Sequence, residues 1–189
     1  MEQSELLRLV AEAFNRTSIP YFVTGSVATV YFGEPRFTND IDVVAALPIS
    51  KADALVREFR EPEFYVSIEA VRQAIQANSQ FNIIHPASGL KVDVIVPAST
   101  EFDRSRFARR LKVSHDRGGE IYVSSPEDVI IKKAMFYREG ASEKHIRDIA
   151  GVFKVSGDRI DRGYIENWAK KLGIGDTWAE IAARIDKPQ

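Results

Sequence analysis

Apolar residues recur at helical spacing from residue 4 to residue 17, where Leu6, Leu7, Val10, Ala13 and Phe14 share one face and Ser4 is placed to cap the start. The pattern then changes period. Tyr21-Phe22-Val23-Thr24 is a short β-prone run that stops at Gly25-Ser26, and residues 27–32 suit a brief buried helix closed by Gly33. After a loop opened by Glu34-Pro35 and carrying Arg36 and Thr38, residues 40–46 read as a strand. Its period of two puts Asp40 and Asp42 on one face and Ile41 and Val43 on the other.

Helices are expected over residues 50–59 and 67–77, separated by Glu61-Pro62. Residues 81–85 and 91–96 read as two strands of a hairpin joined by Pro86-Ala87-Ser88-Gly89, with Asp93 among Val92, Val94 and Val96. A further hairpin runs through Gly118-Gly119 into Ile121-Tyr122-Val123. From Ser125-Pro126-Glu127-Asp128 onward, with its capping-box spacing, every periodic segment is helical: residues 126–138, 142–154, 164–172 and 177–185. No repeat or low-complexity segment interrupts this order. The expected fold is α+β, an α/β mixed-sheet layer over residues 1–124 followed by a helical region over residues 125–189 packed on it.

Composition narrows the chemistry. The 189 residues suffice for a real core, and a formal net charge of −1 argues against a generally basic, nucleic-acid-gripping surface. The exception is residues 104–117, six basic residues against one acid, which is either a solvated helix face or the place for an anionic partner. The chain has no cysteine, which removes disulfides, thiolate metal sites and thiol nucleophiles and fits a reducing compartment. The first residues carry acids and break their apolar positions at helical spacing, unlike a secretory signal or a spanning segment. These features predict a soluble, cytoplasmic protein with no membrane partner. His85, His115 and His145 show no metal spacing, Trp168 and Trp178 suit burial between the terminal helices, and no Walker-A loop, G-x-G-x-x-G or G-x-S-x-G motif occurs.

Asp40, Asp42 and Asp93 on neighbouring strands facing one side would repel one another. Like charges about 4 Å apart cost roughly 4 kcal/mol at an effective dielectric near 20, so such a cluster takes up protons or holds cations. Magnesium or manganese is the natural partner, leaving part of its coordination shell for substrate phosphates. Gly25-Ser26 adds amides that can approach a phosphate, a hydroxyl and a helix N-terminus. Together these residues predict phosphoryl or nucleotidyl transfer.

The order Gly25-Ser26, Asp40-Ile41-Asp42 and Asp93 within Lys-Val-Asp-Val resembles the nucleotidyltransferase (polymerase β-like) superfamily. More narrowly, residues 36–42 (RFTNDID) with residues 127–133 (EDVIIKK) and Arg147-Asp148 resemble the AbiEii-type toxin nucleotidyltransferases of type IV toxin-antitoxin systems. The resemblance spans residues 20–155 in spaced blocks. It implies metal binding and catalysis by Asp40, Asp42 and Asp93, triphosphate contact by Gly25 and Ser26, and nucleotide contacts from Arg36 and Thr38. It further implies an active-site, nucleotide-binding lysine, for which Lys133 is the closer match and Lys132 the competitor. Asp148 matches a further acidic motif position, with Arg147 beside it. The implied partners are a nucleoside triphosphate such as ATP and an acceptor hydroxyl on RNA, in particular a transfer-RNA end, with an antitoxin protein as a further partner. A small molecule such as an aminoglycoside, or a protein hydroxyl, would serve the same metal core. The other class of reading is a catalytically silent nucleotide-binding or partner-binding module of the same fold.

Overall fold

A computed structural model describes residues 1–35, 38, 40–115 and 117–186. Their elements follow in chain order. Helix α1 (Gln3–Arg16) leads into strand β1 (Tyr21–Thr24) and helix α2 (Gly25–Phe32), and strand β2 (Ile41–Ala45) follows. A 3-10 turn at Ile49–Lys51 precedes α3 (Ala52–Arg57) and α4 (Ile68–Ala77), then β3 (Gln80–His85), β4 (Leu90–Ile95), α5 (Glu101–Arg109), β5 (Leu111–Ser114) and β6 (Glu120–Val123). The chain ends in α6 (Pro126–Gly140), α7 (Glu143–Ser156), α8 (Arg162–Lys171) and α9 (Gly175–Ile185).

The strands form one six-stranded mixed sheet in the order β3-β4-β2-β1-β6-β5. β1 is antiparallel to β2 and parallel to β6, β2 is parallel to β4, and the β3–β4 and β5–β6 hairpins close the two edges. This is the expected α+β architecture. The all-apolar start of β1 is explained by its central position, where Tyr21, Phe22 and Val23 are buried on both faces of the sheet. The β3–β4 hairpin alternates instead, burying Phe81, Ile83, Val92 and Val94 while Asn82, Lys91 and Asp93 face the other way.

Two compact units are resolved. One comprises Met1–Val27 with Thr38–Ser124, and the other Ala28–Phe37 with Ser125–Gln189. The chain therefore divides at residue 124, and in addition the segment after Val27 joins the helical unit. The reason is local. Gly33 has no Cβ where one would lie 2.9 Å from the Thr29 carbonyl oxygen and 3.0 Å from the Val152 amide nitrogen. The Ser156 hydroxyl donates to the Phe32 carbonyl at 2.7 Å, and Lys154 pairs with Glu34. Trp168 and Trp178 are buried in this unit, as their helical positions predicted.

Three local expectations change. α1 starts at Gln3, so Ser4 lies inside its first turn rather than capping it; Glu2 precedes the helix without a side-chain cap. The helix expected over residues 50–59 is a 3-10 turn and a six-residue α-helix. The Ser125 box is half made: Ser125 Oγ accepts from the Asp128 amide at 3.2 Å, while the Asp128 carboxylate accepts from the Tyr164 hydroxyl at 2.9 Å. Among the described residues no helix is long and apolar enough to cross a membrane.

Candidate functional site

The register of the sheet aligns one polar row across four strands. Thr24 pairs with Asp42, Asp42 with Asp93, and Asp93 with Asn82. Cross-strand partners project to the same face, so Asp42 and Asp93 stand side by side. Asp40 is exposed and one residue ahead of β2, rather than within a strand as expected. Continuing the Ile41–Val92 pairing by one residue brings it level with Lys91. Among the described residues no three His, Cys, Asp or Glu side chains converge closely enough to enclose a metal ion.

Gly25 opens α2 with φ of +60°, the left-handed region that favours glycine. A Cβ there would lie 2.0 Å from Asp42 Oδ2 and 2.8 Å from its carboxyl carbon. The bare turn is what lets the Asp42 carboxylate lie across the start of the helix. Ser26 is buried in the helix's first turn. Thr38 is half-buried in the loop before β2. Arg36, also expected at the nucleotide, lies outside the described residues.

The sequence reading missed the cation among these acids. Lys91 Nζ lies 2.9 Å from each oxygen of Asp93. The hydrogen bond to Asp93 is the largest influence on the Lys91 pKa and raises it; partial burial opposes it, and attraction to Asp93, then Asp40 and Asp42, adds to the rise. The available signal was the Lys-x-Asp spacing within a strand, which puts both side chains on one face.

The basic segment is solvated at Arg104, Lys112 and Arg117, as one of its two expectations had it, and Arg106 is the exception. Arg106 is 5% exposed, its guanidinium 4.8 Å from the Phe22 ring centroid and 5.7 Å from that of Phe102, with Asp103 at 3.6 Å and the Thr24 hydroxyl at 3.5 Å. Arg104 donates to the Ser99 carbonyl at 2.6 Å, and Arg110 donates to the Phe107 carbonyl while stacking over Tyr122. Lys112 pairs with Glu120 at 2.5 Å and Arg117 with Glu2. Arg106 is thus packed inside the protein, while the Lys112 and Arg117 pairs stay exposed to solvent.

The helical unit holds the remaining predicted residues. Lys133 on α6 and Asp148 on α7 form a buried ion pair at 2.6 Å, their side chains 7% and 4% exposed. Asp148 thus pairs with Lys133 and not with its neighbour Arg147, which is exposed. Lys132 points elsewhere, its ammonium 4.9 Å from the Phe136 ring centroid. Asp148 and Arg147 line a cavity of about 350 Å³ with Thr29, Glu34 and Lys144. His145 stacks at a tilt on Phe136, 5.7 Å between centroids. Its pKa is pushed below the usual value chiefly by burial and then by the Lys133 charge.

No family model matches the chain, and no curated protein matches it in sequence. Solved structures match in fold. The antibiotic-resistance factor ANT(2'')-Ia, studied in solution, aligns over 97% of this chain and 95% of its own, with TM-score 0.56 and 13% identity. An antigenic nucleotidyltransferase-like protein from Paracoccidioides brasiliensis aligns over 80% of this chain and 75% of its own, with TM-score 0.53 and 18% identity. The lincomycin-bound lincosamide antibiotic adenylyltransferase LnuA aligns over 82% of this chain and 99% of its own, with TM-score 0.50 and 12% identity. At these identities the likeness is one of fold, and that fold is nucleotidyltransferase-like.

Proposed function

We propose that this chain is a metal-dependent nucleotidyltransferase. It moves a nucleoside monophosphate from a nucleoside triphosphate to an acceptor hydroxyl and releases pyrophosphate. The observation that carries the reading is the placement of Asp42 level with Asp93 on adjacent parallel strands, with the Asp42 carboxylate against the Gly25 turn.

The side-by-side carboxylates of Asp42 and Asp93 suit a hard divalent cation that takes one or two protein carboxylates and fills the rest of its shell with water and phosphate oxygens. An ammonium already rests on Asp93 where a cation is attracted, and Asp40, exposed one residue ahead of β2, is the third oxygen donor proposed. Asp40, Asp42 and Asp93 would hold Mg2+ or Mn2+, which when bound neutralises phosphate charge and favours an ionised attacking hydroxyl. The Gly25 and Ser26 amides and the Ser26 hydroxyl would hold the triphosphate at the start of α2, with Thr38 and Arg36 as further nucleotide contacts. Asp93 is also the candidate to take the acceptor proton. Lys133 serves as an active-site lysine oriented by Asp148, with Arg147 as a secondary anion contact.

For the acceptor, the likeness to the AbiEii-type toxins supports RNA, in particular a transfer-RNA end, with an antitoxin partner. The burial of Arg106 against Phe22, which removes one charge from that basic stretch, supports a small hydroxylated acceptor instead, as does the lincomycin bound by LnuA. Incubating the protein with α-labelled triphosphates, Mg2+ and either total RNA or an aminoglycoside and lincosamide panel separates the two. The expected result is label on one acceptor class, reduced at least about a hundredfold in Asp42→Asn and Asp93→Asn. Triphosphate binding without transfer to any acceptor would favour the silent module.

A further inference from the structure

We propose that Lys91 is a built-in counter-ion that occupies Asp93 in the metal-free protein and gives it up when a divalent cation binds, so that metal affinity is set by competition with the chain's own ammonium. The inference rests on the metal site proposed above.

The geometry has three parts. Lys91 and Asp93 are two residues apart on β4, so both side chains share a face, and Nζ contacts both carboxylate oxygens at 2.9 Å. A carboxylate embraced this way presents both oxygens to the ammonium, and a metal taking them must displace it. Next, the side chain of Asp93 is 14% exposed while that of Lys91 is 46% exposed. The ammonium therefore reaches in from solvent on a flexible stem and can withdraw without disturbing the core. Finally, the charge also answers to Asp42, opposite Asp93, and to Asp40, level with Lys91 itself. A lysine in that position offsets the repulsion between adjacent acids that the metal-free protein would otherwise carry. Because a lysine–carboxylate pair at the surface contributes little to fold stability, breaking it leaves the folded protein intact, and the displaced charge acts on the metal rather than on the fold. It still weakens the site toward free metal and favours cations arriving with enough charge to displace it.

The test measures Mn2+ binding to the full chain without nucleotide, from the loss of the free-ion paramagnetic resonance signal, with thermal melting to verify folding. Removing a unit charge a few ångströms from the ion should tighten Mn2+ binding about tenfold or more in Lys91→Gln. Lys91→Arg, which keeps a cation at the carboxylate, should bind within about threefold of the unsubstituted protein, and Asp93→Asn should lose binding. Unchanged or weaker Mn2+ affinity in Lys91→Gln, or an equal gain in Lys91→Arg, would overturn the inference while leaving the metal site standing. Absence of Mn2+ binding by both the unsubstituted protein and Lys91→Gln at millimolar metal would overturn the metal site and the inference together.

Discussion

Gly25 is the residue whose substitution is most constrained by what surrounds it. A side chain there meets the Asp42 carboxylate at less than contact distance, and left-handed backbone costs an L-residue about 1–2 kcal/mol. Gly25→Ala is therefore expected to lower the urea midpoint modestly but to reduce nucleotidyl transfer by at least about a hundredfold, because Asp42 must move. Steady-state kinetics beside an unfolding curve separate the two effects. Gly25, Asp42 and Asp93 were legible in the sequence because a turn glycine and acids inside β-prone runs break local patterns that a simple strand would keep. Lys91 was passed over because a lysine on the open face of a hairpin is ordinary until its spacing to Asp93 is combined with the Asp42–Asp93 register. That register depends on residues some fifty positions apart pairing in parallel.

At the scale of elements, α6 and α7 are joined by a charge pair that the sequence offered only as two unrelated polar residues. Removing one partner of a buried pair leaves an uncompensated charge, so Lys133→Met should destabilise the protein by about 3–5 kcal/mol in urea unfolding. Adding Asp148→Leu to it should restore much of that loss. His145, whose pKa is also affected by Lys144 and Asp148, adds a pH dependence. Its imidazole is harder to protonate in the folded chain than in the unfolded chain, with an unperturbed value of 6.5. The unfolded state thus binds more protons over the window below about pH 6.5, so stability falls as pH drops through it. Unfolding curves between pH 5.5 and 7.5 should show this slope, reduced in His145→Gln. The basic run on α5 could be read as a charge pattern but not as a set of contacts. Whether Arg106 faced solvent or packed on Phe22 and Thr24 depended on β1 lying beneath α5, a neighbour 82 residues away in the chain for Thr24.

For the molecule as a whole, the strand and helix order was legible from periodicity, and the mixed sheet followed from short β-prone runs interleaved with helices. The inclusion of residues 28–37 in the helical unit was not, since it rests on the fit of Gly33 and Ser156 rather than on any local pattern. The acceptor question also belongs to this scale. If RNA is the acceptor, transfer should weaken steeply as salt rises from about 50 to 200 mM, whereas a small acceptor should respond only weakly. The central claim is nucleotidyl transfer at the Asp42–Asp93 row, and pyrophosphate release from Mg2+ and nucleoside triphosphate in the presence of pooled RNA and small-molecule acceptors tests it most directly. The account predicts release matched one for one by labelled acceptor and lost in folded Asp42→Asn and Asp93→Asn proteins. Equal release and labelling by those variants and the unsubstituted protein would contradict it.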